Sequence, residues 1–142
     1  MATDKETNSR LLRCYGITLS EYNTMLAHQD GKCAICGSTP KSRRLHTDHD
    51  HRVNKVKITV EPAGSVYGNK AVAFAWYKNK QYMCGGETKQ EARQNMRKIL
   101  LKASVRGIIC WPCNRGIRVF NDDPVRLRRT AIYLERFNGE GN

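Results

Sequence analysis

Long apolar segments are missing from this chain. Its 142 residues are 39% hydrophobic, and no apolar run approaches the roughly 20 residues that a membrane-spanning helix needs. The first ten residues are polar and lack the apolar stretch of a signal peptide, so we expect a loose polar tail there and, by default, a cytoplasmic protein. The length allows one domain or two very small ones, and a core this modest is often stabilised by a bound metal.

Acidic residues are also scarce. The chain has 13 Asp and Glu against 25 Lys and Arg, which gives a formal net charge of +12 with the histidines neutral. Such an excess favours a polyanionic partner. Nucleic acid is the first candidate, and an anionic membrane surface is the second.

Cysteine is present in a pattern typical of metal sites. Four of the six cysteines form two C-x-x-C pairs, Cys33 with Cys36 and Cys110 with Cys113. Two residues between cysteines let one turn supply two thiolates, and zinc prefers a tetrahedron of such ligands. The alternatives are a redox dithiol or buried cysteines without a ligand. Four thiolates leave no open coordination position, so this zinc is expected to be structural. Cys14 and Cys84 lack partners at metal spacing, and we interpret both as ordinary thiols.

A cluster of histidines and aspartates lies between the two pairs, over residues 46–51 (HTDHDH). Hydrolysis of a phosphodiester needs a general base and a hard cation; an imidazole suits the first role and a carboxylate oxygen binds the second. Asp48 and His49 are adjacent, so the chain has to bend if both are to serve one phosphate. A solvated polar loop and a second zinc site are the alternatives. Asn114 follows Cys113 directly and is a candidate second oxygen ligand, although alone it is also compatible with a solvent-facing amide.

Five motifs make the sequence similar to a known family. They are GITLSEY at residues 16–22, GKCAIC at 31–36, DHDH at 48–51, the stretch 105–114, and DDP at 122–124. Together they resemble the phage recombination endonuclease VII family, over residues 15–51 and 105–136. The resemblance implies a ββα-metal (HNH, His-Me finger) nuclease core with a catalytic Mg²⁺ or Mn²⁺ ion. It implies Asp48 and Asn114 as ligands of that ion, His49 as general base, and His51 and His46 as auxiliary residues that position the phosphate or leaving group.

Residues 52–104 interrupt the family pattern, which elsewhere passes from the histidine cluster to the next strand through a short link. Alternating apolar residues predict strands over 55–60, 71–77 and 81–84, and a capping box at Thr88 predicts a following helix. Val72, Phe74 and Trp76 share one face of the middle strand. The segment has eleven Lys or Arg and three Glu, a net charge of +8.

This three-stranded sheet with one helix is similar to the DNA-binding modules of plant ethylene-response factors and integrase arm-binding domains, which lay the sheet in a major groove. The candidate DNA contacts on the sheet are Lys57, Thr59, Tyr77, Lys78 and Lys80. Lys89, Arg93 and Arg97 recur every four positions and form a basic row on the helix. The alternative for any one of these residues is a solvated charged surface.

Local signals also predict the elements of the interrupted core. A capping box from Thr18 to Glu21 begins a helix, and residues 44–48 and 105–109 read as short strands. Pro112 and the Asp123-Pro124 pair begin the last two helices. The prediction is an α+β chain with a zinc-bound ββα-metal core at residues 11–51 and 105–138, and an inserted sheet-and-helix module at 52–104.

The predicted function is a metal-dependent DNA endonuclease. It is either a site-biased nicking or homing-type enzyme, or a branched-DNA resolvase that acts as a homodimer. A non-catalytic zinc-dependent DNA-binding protein is the alternative. That alternative explains the charge and the cysteines but leaves Asp48, His49 and Asn114 without a purpose.

Overall fold

Two small antiparallel sheets and five α-helices make up the part of the chain that this computed structural model describes, residues 3–39 and 44–138. The helices are α1 (Asp4–Tyr15), α2 (Leu19–His28), α3 (Lys89–Ser104), α4 (Trp111–Val119) and α5 (Pro124–Asn138). The strands are β1 (His46–His49), β2 (Ile58–Glu61), β3 (Ala71–Tyr77), β4 (Lys80–Gly86) and β5 (Val105–Ile109). The predicted mixture of helices and sheet is confirmed. Residues 40–43 of the first predicted core segment lie outside the described part.

The N-terminal segment is a helix from Asp4 onwards, so the expectation of a loose tail is wrong for residues 3–10; residues 1 and 2 lie outside the described part. Thr3 accepts a hydrogen bond from the Glu6 amide, while the Glu6 carboxylate accepts one from the Thr3 amide, so a capping box begins α1. Leu11 is buried in the core, and the Asn8 side chain accepts a 2.7 Å hydrogen bond from the Leu19 amide. The polar composition of this segment therefore reflects an amphipathic helix.

β1 and β5 pair with each other, although 55 residues separate the end of one from the start of the other. The Gln29 side chain after α2 extends this sheet: its carbonyl oxygen accepts from the Ile108 amide at 2.9 Å and its amide donates to the Ile108 carbonyl at 2.7 Å. The Tyr22 hydroxyl donates to the Leu45 carbonyl at 2.8 Å. These contacts hold α2 against the strand that leads to Cys110.

β2, β3 and β4 form the second sheet in that order, and α3 packs on one side of it. The strand bounds of β3 are as predicted, and Thr88 accepts from the Glu91 amide at the start of α3. Small side chains of the sheet meet the apolar side of the helix in one core cluster, whose most buried members are Ala71, Ala73, Ala75, Ala92, Met96 and Leu100. The predicted three-stranded sheet with one helix is present.

The larger side chains of β3 lie on the opposite, outward side of this sheet. Val72 and Phe74 are half-buried and Trp76 is 66% exposed, whereas the alternate residues from Ala71 to Tyr77 are buried. The sheet is buried on its alanine side because small residues let α3 approach closely. Among the described residues, no helix is long and apolar enough to cross a membrane.

Candidate functional site

The four predicted cysteine ligands come together. Cys33 and Cys36 lie in the turn after α2, and Cys110 and Cys113 at the start of α4; their four sulfur atoms lie within 4.8 Å of one another. The Cys110 and Ile35 amides also donate to the Cys33 sulfur. Two tight turns from distant parts of the chain therefore present four sulfurs to one point, which fits a tetrahedral zinc ion.

The acidities of these thiols also fit a cation. Hydrogen bonds from the Ser38 hydroxyl and amide lower the pKa of Cys36 to about 6. Burial and the neighbouring thiols raise the pKa of Cys113. Negative charge on one sulfur thus opposes ionisation of the next. A central zinc ion would compensate all four charges at once.

A bulge in the small sheet shapes the site beside the zinc cluster. Asp48 pairs with Gly107 and His49 pairs with Val105, so Arg106 lies between two ladder positions and has no residue opposite it. A bulge bends the strand and redirects side chains. The register between β1 and β5 therefore shifts at the step from Asp48 to His49.

Arg106 uses this position to bind two carboxylates. Its Nε donates to Asp48 Oδ2 at 2.7 Å, and its Nη2 donates to Asp48 Oδ1 at 2.9 Å. Nη2 also lies 3.3 Å from Asp122 Oδ2, on the link between α4 and α5. The Asp48 side chain is 9% exposed, so the guanidinium neutralises a carboxylate that has little contact with water.

His49 lies half-buried next to this ion pair. The Tyr15 ring meets it edge-on with centroids 5.2 Å apart, and the His51 ring lies 4.4 Å away. Burial, together with the neighbouring His51, lowers the pKa of His49 below its usual value. The imidazole is therefore neutral at neutral pH and has the protonation state that a general base requires.

The second carboxylate of the histidine and aspartate cluster has its own partner. Asp50 is buried, and the exposed Arg52 guanidinium donates hydrogen bonds to both of its carboxylate oxygens at 2.8 to 3.1 Å. This pairing lowers the pKa of Asp50. Burial and the nearby Asp50 carboxylate raise the pKa of Tyr77 to about 12. Tyr77, which was predicted as a DNA contact, is only 6% exposed, and its side chain is part of the interior.

The other predicted site residues have distinct positions. His51 is exposed at the start of a short 3₁₀ helix (His51–Lys55), and His46 is exposed on β1 opposite Ile109. Asn114 is partly buried in the first turns of α4, a helix that contacts β1. His46 thus lies on the strand that carries Asp48 and His49, His51 follows that strand closely, and Asn114 lies on the helix that begins at the cysteine cluster.

The predicted catalytic cation has a less complete set of ligands than zinc has. Among the described residues, the four cysteines are the one group of three or more His, Cys, Asp or Glu side chains close enough to hold an ion. Mg²⁺ commonly binds through one or two carboxylates together with water, so Asp48 with Asn114 is compatible with it. Both oxygens of Asp48 accept a hydrogen bond from Arg106, however, so a cation at Asp48 would have to use their remaining lone pairs or displace one of these bonds.

The remaining candidate DNA contacts lie on two different parts of the module, the three-stranded sheet and the helix α3. Lys57, Thr59, Lys78 and Lys80 are exposed on the sheet side, and the helix row of Lys89, Arg93 and Arg97 is exposed on α3. Arg93 reaches the edge of the sheet, where it donates to the Ile58 carbonyl at 3.3 Å. The two sets therefore do not form one flat surface.

Sequence reasoning assigned no role to Arg106, Asp122 or Tyr15. Arg106 and Asp122 both lie in motifs that carry the family resemblance, which was the available signal. Their meeting with Asp48 depends on the bulge and on the link between α4 and α5. Local sequence does not specify either contact.

Comparisons with known proteins agree with the resemblance. A family model described as recombination endonuclease VII matches residues 8–136. Two similar proteins, each named gene 59 protein, come from Mycobacterium phages D29 and L5, and both are 42% identical to this chain over 50 residues. The matched stretch spans 34% of this chain and 30% of each relative, so less than a third of their length is covered. No solved structure matches the chain.

Proposed function

This chain belongs to the recombination endonuclease VII family, and from that membership and its His–Asp site we propose that it is a DNA endonuclease that resolves branched DNA. The observation that carries the proposal is the position of His49: a half-buried imidazole with a lowered pKa, held beside a buried aspartate by a bulged strand pair. A site-biased nicking or homing-type activity is the second form of the same proposal, and the basic module 52–104 favours it.

The order of elements supports an HNH-type, ββα-metal site. Strands β1 and β5 pair, and α4 follows directly from β5 through the zinc-binding turn. In this interpretation β1 carries Asp48 and His49, and α4 carries Asn114. The zinc ion has no catalytic part, because its four thiolate ligands leave no open position.

Each residue has a proposed role in hydrolysis. His49 takes the proton from the attacking water, and His51 and His46 position the phosphate or the leaving group. Asp48 and Asn114 hold the Mg²⁺ or Mn²⁺ ion, which when bound neutralises charge on the scissile phosphate. Once Asp48 has another cation, Arg106 becomes available to the DNA backbone while Asp122 still anchors it.

Plasmid nicking by the His49→Ala variant tests the proposal. Loss of a general base costs about 10²–10⁴ in rate. We expect His49→Ala to cleave that slowly in Mg²⁺ while it keeps its zinc, its thermal midpoint and its DNA affinity. His28→Ala is the matched control, because His28 is exposed on α2, outside the site.

Asp48→Ala should also be inactive, through loss of the cation. Higher Mn²⁺ is expected to rescue a weakened ligand variant such as Asn114→Asp but not His49→Ala. Near wild-type cleavage by His49→Ala at saturating cation would show that His49 is not the general base, and His51 would be the next candidate for that role. A wild-type protein that binds DNA but never nicks it, at any Mg²⁺ or Mn²⁺ concentration, would favour the non-catalytic zinc-dependent DNA-binding protein.

Cleavage of four-way junctions, nicked duplexes and intact duplexes separates the two forms of the proposal. A resolvase cuts paired strands symmetrically, which favours a homodimer. The candidate surface for a second copy is α5, where Val125, Ile132 and Leu134 are each about half exposed. Sedimentation of Ile132→Glu against the wild type tests this surface, because a charge there should favour the monomer.

A further inference from the structure

The outward side of the β2-β3-β4 sheet is unusually apolar for a surface of so basic a chain. Trp76 is 66% exposed and Met83 64%, and Phe74 lies directly opposite Met83 in the sheet register. The Tyr67 ring, from the β2–β3 link, lies 5.1 Å from the Phe74 ring. We call Tyr67, Phe74, Trp76 and Met83 the aromatic face. Exposed aromatic rings at this density mark an interaction surface.

A cleft lined by the aromatic face continues towards His51. The first cleft, of about 630 Å³, includes Lys57 and Trp76 in its wall. A second cleft, of about 530 Å³, shares Lys57 and Trp76 with the first and also touches Asp50 and Arg52. Asp50 and Arg52 in turn line a third cleft of about 630 Å³, which includes His51. Shared wall residues therefore link the aromatic face to His51, whose ring lies 4.4 Å from the His49 ring of the candidate nuclease site.

Charge along this path suits a phosphate backbone. Lys57 directly precedes β2 and Lys78 directly follows β3; both are exposed, and both line the second cleft beside Trp76. Arg52 and Arg106 line the clefts nearer to His51. Glu61 lies at the far end of the first cleft, so positive charge is concentrated where the first and second clefts meet. In the third cleft, Asp50, Asp122 and Asp123 offset the charges of Arg52 and Arg106.

We propose that these clefts seat an unpaired DNA strand, with bases stacked on the aromatic face and the phosphodiester at the histidine site. This inference rests on the proposed function and names its substrate class: DNA with unpaired bases near the cleavage point. Stacking on aromatic rings together with a basic groove is the general mode of single-strand recognition. An intact duplex keeps its bases stacked on one another, so it does not offer them to Trp76.

The composition of the face favours stacking over reading of base edges. Readout in a major groove uses polar side chains such as Arg, Asn and Gln. On the outward face, Thr59 and Gln81 supply hydrogen bonds at the margins, opposite Phe74 and Trp76 respectively, while the central positions are aromatic or apolar. Insertion of the sheet into a major groove is therefore the competing geometry, and it predicts equal loss of duplex binding when Trp76 is changed.

Binding of a mixed-sequence single strand and of the same sequence as a duplex tests the inference, in buffer without added divalent cation. Trp76→Leu keeps the apolar bulk but removes the ring, and Trp76→Phe keeps a ring. We expect Trp76→Leu to weaken single-strand affinity by about tenfold, on the order that base stacking contributes, and to leave duplex affinity unchanged. Trp76→Phe should retain most of the affinity. Both variants should keep the wild-type thermal midpoint, because Trp76 is exposed.

Tryptophan fluorescence gives an independent readout. The chain has two tryptophans, so in a Trp111→Phe background all emission comes from Trp76. Quenching of this emission by the single strand but not by the duplex is the expected result. Equal losses of single-strand and duplex affinity in Trp76→Leu would assign the face to duplex reading and overturn the inference. An unchanged affinity for both would exclude the face from DNA binding, and self-association lost in Trp76→Leu with unchanged DNA affinity would assign it to a second copy.

Cleavage measured in parallel separates this inference from the proposed function. If the wild-type protein nicks DNA while Trp76→Leu binds single strands normally, the stacking inference fails and the nuclease stands. If single strands quench Trp76 but no substrate is ever cut, the nuclease fails and the stacking surface stands.

Discussion

Asp48 and Arg106 form a bidentate ion pair inside the candidate site. A cation that binds Asp48 would have to do so in the presence of this pair. The guanidinium supplies the positive charge that a divalent cation would otherwise bring to the carboxylate. Since the Asp48 side chain is 9% exposed, its charge needs one partner or the other. Arg106 and the proposed cation would therefore compete for this carboxylate.

Arg106→Ala tests this competition. The variant leaves Asp48 buried without its partner, and an unsatisfied group of this kind costs about 1–3 kcal/mol. We expect its thermal midpoint to fall and then to rise with Mn²⁺ more steeply than that of the wild type, because the cation binds the folded state. Differential scanning calorimetry across a Mn²⁺ series provides the measurement.

Arg52→Ala is the matched control for that experiment. It breaks the pair with the buried Asp50, which we have not assigned to a cation. Its midpoint should fall without recovery in Mn²⁺. Equal recovery in both variants would indicate a non-specific effect of the cation, and no recovery in Arg106→Ala would argue against cation binding at Asp48.

At the scale of elements, contact between β4 and α3 depends on one glycine. A Cβ atom built on Gly86 would lie 2.4 Å from the Ala92 amide nitrogen, which is too close for any side chain. Gly85, its neighbour, has its nearest such contact at 3.7 Å, from the Ala71 carbonyl. The sheet and the helix are thus in close backbone contact at Gly86.

Gly86→Ala is expected to force the helix away from the sheet and to cost about 1–3 kcal/mol, the usual range for overpacking. Gly85→Ala adds the same methyl group to the open side and should be close to neutral. Urea unfolding of both variants gives the comparison. Similar stabilities for the two would contradict the close packing of α3 on β4.

The helix row on α3 has a different expected effect. Changing Lys89, Arg93 and Arg97 together to Ala should weaken DNA binding and lower the slope of log affinity against log salt by about 0.9 for each lost phosphate contact. Cleavage of a non-specific substrate at saturating DNA should change much less. An unchanged slope would show that the row faces solvent in the complex.

At the scale of the whole molecule, the four-cysteine cluster connects the turn after α2 to the start of α4. Two of its members, Cys36 and Cys110, are 74 residues apart in the sequence. The core around it is small, with Leu11, Ile17, Tyr22, Ile108 and Ile109 among its buried residues. A structural zinc ion therefore contributes a large share of the free energy of folding.

Cys110→Ser should release zinc and unfold the part of the chain that carries β1, β5 and α4. Cys14→Ser is the control, since Cys14 is exposed and outside the cluster. Zinc content and the thermal midpoint measure both variants. If the Cys110→Ser protein keeps its full zinc content and an unchanged thermal midpoint, zinc at this cluster has no structural role.

The sequence by itself determined the features that depend on near neighbours along the chain. The two C-x-x-C pairs, the capping boxes at Thr18 and Thr88 and the helix start at Asp123-Pro124 are local, because each involves backbone groups a few residues apart. The alternation in residues 71–77 was sufficient to define β3. These signals predicted the cysteine cluster, the sheet-and-helix module, the starts of α2, α3, α4 and α5, and the bounds of β3 and β5.

Only the tertiary structure decided which surfaces meet. Both sides of β3 are apolar, so alternation alone does not choose between them; the alanine side is buried because it lets α3 approach, and Trp76 is left outside. The pairing of Arg106 with Asp48 depends on a bulge between strands that lie far apart in sequence. Tyr77 is interior because it lies on the same face of β3 as the buried alanines. Burial and long-range pairing are properties of packed elements, and one element's residue pattern does not contain them.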